Sequence, residues 1–274
     1  MKKVYFFLIF IFLATSPSFS KNKEINLPSG CNIQIQSNNF QEIDKLKIKK
    51  IEVDTHDYRR WTVNSIRIIT NPFRFTPEKY RQRFNASVKV TYENNKNCIY
   101  NARVRHSGDA KDHIAFKGNS VIQSLDVRLL NGNIRGITRF KLFKPDVRGN
   151  LDDVIILTQI LRDFGYLAPR SIKVQARVNQ TESVMLFQEK AAKELIEFNN
   201  RREGPILEGD QKFFFKVVED IPDNQLSNWS VGMPHLRNKS SKVMLSKLTN
   251  ANLINRSKVH KEISLEAINN LNLI

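Results

Sequence analysis

The chain has 274 residues, is 41% hydrophobic and 26% charged, and carries 44 Lys and Arg against 27 Asp and Glu, a formal net charge of +17. That composition excludes a disordered tail, and the length suffices for one or two modest cores. The charge favours anionic partners such as nucleotides, acidic glycans or lipid headgroups, but the cations are spread along the chain without a compact basic tract, so no nucleic acid is expected as a partner.

Lys2 and Lys3 precede an apolar run from Val4 to Ala14, and Ser18-Phe19-Ser20 supplies small residues ahead of a cut after Ser20. A charged start, a short apolar core and a small-residue exit mark an export signal. Residues 1–20 are therefore read as a signal peptide, and the mature chain, from about Lys21, as periplasmic or secreted. No other stretch approaches the roughly 20 apolar residues of a spanning helix, so no integral membrane segment is expected after signal removal. In an oxidising compartment Cys31 and Cys98 either form a disulfide or remain two buried thiols, and neither has the spacing of a zinc ligand.

Residues 21–100 read as a β-rich region. Leu46, Ile48 and Ile51 to Val53 alternate with lysines, Ser65 to Thr70 is rich in β-branched residues, and Ala86 to Tyr92 alternates through Val88 and Val90. Asn71-Pro72 and Thr76-Pro77 break the pattern, and Pro77 to Tyr80 suits a short helical turn. In residues 101–220, Ala102 to Arg105 predicts a strand, and Ser124 to Leu130 and Ile137 to Phe143 flank Asn131-Gly132-Asn133, a hairpin signal. A helix follows from an Asn150 cap, with Asp152 and Asp153 at its positive end, Val154, Leu157, Leu161 and Phe164 on one face and Gly165 closing it. Ile172, Val174, Ala176 and Val178 predict a strand with one buried face. Val184 to Phe187 predict a more fully buried one, and Gln188 to Phe198 a helix. Residues 221–274 read as a linker with helices over Ser240–Leu248 and Ile263–Leu273. The fold class that follows is α+β, a mainly antiparallel sheet with packed helices.

Four stretches in order carry a family resemblance: Arg105-His106-Ser107-Gly108-Asp109 through Asp112-His113, Arg139-Phe140-Lys141-Leu142 through Arg148-Gly149-Asn150, Gly165 through Pro169-Arg170, and Val178 to Leu207, with Phe187-Gln188-Glu189-Lys190 and Arg201-Arg202-Glu203-Gly204-Pro205. Together they resemble the CotH kinase family, particularly its exported bacterial members, over roughly residues 102–210. The sequence departs from the family where a glycine-containing turn gives way to Asn179-Gln180-Thr181-Glu182-Ser183, and where His106-Ser107 precede Gly108-Asp109.

The resemblance implies the amino-terminal lobe of an atypical protein-kinase-like fold, preceded by a β-rich leader. In such folds a basic side chain from the sheet neutralises nucleotide phosphates. It implies Arg128 and Lys141, each on a predicted strand, and Glu189 at the end of a strand as nucleotide-binding residues, with ATP and magnesium as cofactors of a working site. The family's metal-binding and catalytic acids have no counterpart before Ile274, so no catalytic or metal residue is assigned.

Arg148, Arg201 and Arg202 are candidate anion ligands, and Asp109, Asp112 and His113 could orient a phosphate or an ion. The plainer readings are a solvated strand face for the cations and local loop bonding for the acids. Three functions are therefore open. The first is an exported CotH-kinase-like protein without its catalytic lobe, truncated or degenerate, with at most nucleotide or anion binding. The others are an active ATP-dependent kinase of envelope proteins and a basic module that binds an acidic envelope polymer.

Overall fold

The computed structural model describes residue 31 and residues 46–72, 75–210 and 245–271. The signal segment 1–20 and its cleavage point lie outside them. Seven strands, β1 (Ile48–Thr55), β2 (Phe84–Tyr92), β3 (Asn97–His106), β6 (Leu125–Leu129), β7 (Arg139–Phe143), β9 (Thr181–Glu189) and β8 (Ser171–Val178), join in that order into a closed barrel. Neighbours are antiparallel except at the closure, where β8 runs parallel to β1 with Val53 beside Val178. Strands β4 (Ile114–Lys117) and β5 (Ser120–Gln123) form a separate ribbon between β3 and β6.

The closed barrel corrects the expected α+β fold. The chain is no kinase-like lobe of sheet plus packed helices, and among the described residues the β-rich leader is not separate, since β1, β2 and the start of β3 are staves of the same barrel as the strands beyond residue 100. The reason lies in alternation. A half-buried strand presents apolar side chains at every second position, and here those positions from all seven staves meet in one interior. Ile51, Val53, Val88, Val90, Tyr100, Val104, Val127, Phe140, Val174 and Phe187 fill it, with Phe140 and Phe187 stacked at 4.6 Å between centroids.

Helix α1 (Tyr58–Thr70) lies over one end of the barrel. Its latter half was expected as a strand over Ser65–Thr70, because Ile66, Ile68 and Ile69 favour β structure. Two features override that preference. Asp57 caps the helix by accepting from the Arg60 amide, and Trp61, Asn64, Ser65 and Ile68 recur at helical spacing to form its buried face. Trp61 meets Phe84 edge-on at 5.1 Å.

Helix α2 (Leu151–Asp163) starts at the expected Asn150 cap, and Gly165, at φ +81°, ends it. Its buried face differs from expectation. Leu151, Val154 and Ile155 pack on Phe143 and Leu186 outside the barrel, whereas Leu157 and Phe164 are exposed. Gln188 and Glu189 complete β9 instead of opening a helix, and helix α3 spans only Lys193–Phe198. Strand β10 (Leu207–Asp210) pairs with β11 (Leu245–Leu248) where part of a helix was expected, the remainder of Ser240–Leu248 lying outside the described residues. The last helix, α4, covers Lys258–Leu271.

Cys31 and Cys98 are joined by a disulfide, 67 residues apart in the chain. A persistent disulfide is consistent with an oxidising compartment. No helix among the described residues is long and apolar enough to cross a membrane.

Candidate anion-binding face

On β3, β6 and β7 the residues between the core positions point outward, and Arg103, Arg105, Arg128, Arg139 and Lys141 are among them. Arg103 stands opposite Arg128, and Arg128 opposite Arg139, so three arginines form one row across three adjacent strands. All three are exposed, and none has an ion-pair partner among the described residues. Directly opposed side chains lie about 4.5–5.5 Å apart on such a pair. Lys190, whose amide donates to the Arg139 carbonyl at 3.0 Å, continues the row past β7.

The next row carries Arg105, Asp126 and Lys141 in register. Asp126 is a hub: its side chain is 2% exposed, and its two oxygens accept from Arg83 Nη2 at 3.0 Å, Arg105 Nη2 at 3.2 Å and Lys190 Nζ at 3.2 Å. Burial by itself would raise the Asp126 pKa, but the charges of Lys190, Arg83 and Arg105 outweigh it and hold the carboxyl well below the usual range. One carboxylate thus fixes three cations and leaves the cluster with net positive charge.

Beyond the Arg139 and Lys190 end of the row lies a cavity of about 300 Å³, walled by Lys193, Glu194 and Glu203 on one side and Thr249, Asn250 and Arg256 on the other. Glu203 pairs with Arg256 and, at 3.9 Å, with Lys193. The Asn250 side chain donates to the Gly204 carbonyl and accepts from the Ile206 amide, tying the second wall to the first.

Of the expected nucleotide ligands, the structure brings two together. Arg128 and Lys141 share the outer face one row apart, with Lys141 Nζ lying 5.4 Å over the Phe143 ring. Glu189 points the other way. Alternation on β9 sends Phe187 and Glu189 inward and Gln188 outward, so Glu189 is buried at the end of the barrel opposite α1. There Arg170 grips it through two bonds of 2.9 and 2.8 Å, donates to the Arg135 carbonyl at 2.7 Å and stacks on Phe198 at 3.8 Å. Of the other candidates, Arg148 stacks over Phe143 at 4.7 Å. Arg201 and Arg202 are exposed just after α3.

Asp109, Asp112 and His113 lie near one another, since both carboxylates act on the His113 charge, but they make no metal-holding group. Asp109 is engaged by Arg81, and no group of three or more His, Cys, Asp or Glu among the described residues is placed to hold a metal. Gly108, at φ +114°, lies against the His113 ring so closely that any Cβ there would collide with it, which accounts for glycine in that loop. His106, on the inner face of β3, is 2% exposed, and neither ring nitrogen has a partner of good geometry. Burial, with the charge of nearby His113 acting the same way, lowers its pKa to about 3, while the Gln123 amide beside it opposes the shift.

Arg83, Arg103, Arg139, Lys190 and Asp126 were not among the expected ligands. A signal for most of them is present in the sequence: Arg103 and Arg105, Asp126 and Arg128, and Arg139 and Lys141 each occupy alternate positions between buried residues, which places each pair on an outer face. Strand order, which aligns the pairs, is not written in any one segment. No protein-family model matches the chain, and no curated protein matches it.

Proposed function

We propose that the protein is an exported anion-binding protein that takes a phosphate- or carboxylate-bearing ligand on the outer face of β3, β6 and β7. The observation that carries this reading is the Arg103, Arg128 and Arg139 row, three like charges in direct opposition with no ion-pair partner among the described residues. Like charges in opposed positions destabilise a sheet, by an amount of the order of a cross-strand pair, about 0.2–1 kcal/mol. A ligand with several negative charges reverses the sign, and guanidinium groups hold phosphate and carboxylate oxygens in paired bonds. Asp126 holds Arg83, Arg105 and Lys190 in place beside the row without neutralising it.

The test is calorimetric titration of the mature protein with inorganic triphosphate over a range of salt. The expected result is binding that weakens as salt rises and is lost in the Arg103→Ser, Arg128→Ser, Arg139→Ser triple variant. Undiminished binding in that variant, or none in the parent protein, would overturn the reading.

A second reading, a nucleotide site of a CotH-like protein, is favoured by one observation. Arg105, Arg139, Lys141 and Lys190, all in stretches that carry the family resemblance, gather on one face, and the cavity of about 300 Å³ opens at its Arg139 end. Magnesium-ATP raising the melting temperature well beyond the effect of triphosphate would favour it, because the nucleoside would then add binding of its own.

A further inference from the structure

The cationic surface does not stop at the sheet. Arg83 follows Gln82 in the chain, and Gln82 Oε1 accepts from Arg60 on α1 at 2.8 Å. Arg60 lines an open groove of about 560 Å³ together with Arg59, Arg67, Asn64 and Asp57. Helix α1 carries three arginines and no acid, and Arg59 and Arg67 have no ion-pair partner among the described residues. A basic path therefore leads from the α1 groove through Arg83 and Arg105 onto the arginine row, and past Lys190 to the cavity beside Arg256.

The shape of the path selects its occupant. It crosses β2, β3, β6, β7 and β9, four of the seven strand-to-strand steps around the closed barrel. At about 4.8 Å per step that is about 19 Å of convex surface. A small anion covers one or two steps. A planar bilayer touches a convex barrel along a strip and cannot meet the α1 groove and the Arg139 end together. A linear chain can follow the curve. Among the described residues no aromatic side chain lines the α1 groove or the cavity, where a base would stack, Tyr58 lining a separate pocket with Asn179 and Gln180. The disulfide is consistent with a compartment in which acidic glycans are found.

Resting on the anion-binding reading above, we infer that the ligand is a linear acidic polysaccharide that wraps the barrel, with one segment on the arginine row and another in the α1 groove. Joining two weak sites on one chain raises affinity by effective concentration.

The experiment measures affinity of the mature protein for oligogalacturonates of increasing length, beside the Arg59→Ser, Arg67→Ser double variant, both substitutions being on exposed helix surface. The expected result is a gain of at least about tenfold from the shortest to the longest oligomers, which the double variant loses while its affinity for the shortest stays unchanged. If the short oligomer binds and length adds nothing, the wrapped path is wrong and the anion-binding row stands. If no oligomer binds but triphosphate does, the polysaccharide is wrong and the row again stands. If neither binds, both readings fall. Equal or tighter binding of single-stranded DNA of matched charge, or of anionic phosphatidylglycerol vesicles, would overturn the glycan as the preferred partner.

Discussion

Arg170 and Arg128 lie on neighbouring parts of one barrel and meet opposite fates. Arg170 is enclosed, its side chain 4% exposed, with Glu189 bonded at two points, a backbone carbonyl on a third nitrogen and an aromatic ring against its face. Arg128 stands in solvent between two other arginines. A cation whose bonds are all made inside the protein has nothing left for a ligand. One placed among its own kind has its bonding still to make, and that separates architecture from function on this molecule.

The sharpest way to break the contrast is Glu189→Ala, which leaves Arg170 buried and charged without its partner. A loss of about 3–5 kcal/mol is expected, read by denaturant unfolding. Loss of anion binding in folded Glu189→Ala protein would contradict a purely internal role for the pair.

Asp126→Asn comes next, removing the charge that gathers Arg83, Arg105 and Lys190. Stability should fall by about 1–3 kcal/mol, while triphosphate affinity rises because the released cations add to the row. A fall in affinity would show that the ordering of those cations by Asp126 matters more to binding than the positive charge it offsets.

Acid tests the inner face in another way. The folded-state pKa of His106 is lowered to about 3 from 6.5, so on acidification the unfolded chain takes up the proton first. The stability due to neutral His106 is complete above about 6.5 and falls by about 1.4 kcal/mol for each pH unit below it, down to the folded-state value. His113, lowered chiefly by burial, acts in the same direction. A His106→Leu variant should show a flatter decline in melting temperature on acidification, and a slope equal to the parent's would remove His106 from the account.

The smallest effect has the opposite sign. Arg128→Ser should stabilise the free protein by about 0.2–1 kcal/mol by relieving repulsion from Arg103 and Arg139, while weakening triphosphate binding. A variant that loses both stability and binding would reduce the row to an ordinary solvated surface.

Much of this was readable from local pattern. Asn150 and Gly165 bound α2 as their chemistry dictates, and the alternation from Ile172 to Val178 is a strand with its apolar side in the core. Asn179 turns the chain between β8 and β9 at φ +51°, an angle asparagine tolerates, and its side chain accepts from the Thr55 amide at 2.9 Å. What could not be read were the relations between distant segments. Residues 65–70 satisfy strand preference as well as helix periodicity, and only the burial of Trp61, Asn64, Ser65 and Ile68 on one helix face decides between them. Glu189 sits at a strand end, as expected, yet which way it faces depends on the register of β9 against β7 and on Arg170, 19 residues earlier. The arginine row exists only once β3, β6 and β7 are neighbours in register.

The parallel seam between β1 and β8 bears on the order in which the molecule can form. β1 is the first stave along the chain, and its last neighbour is not complete until Val178, so Val53 waits for a residue 125 positions later. Hairpins such as β2 with β3 need only a short loop, whereas the seam needs almost the whole domain to be present and collapsed. Until then β1 has an open edge able to pair with another chain, so refolding yield should fall with concentration as unsealed barrels capture one another.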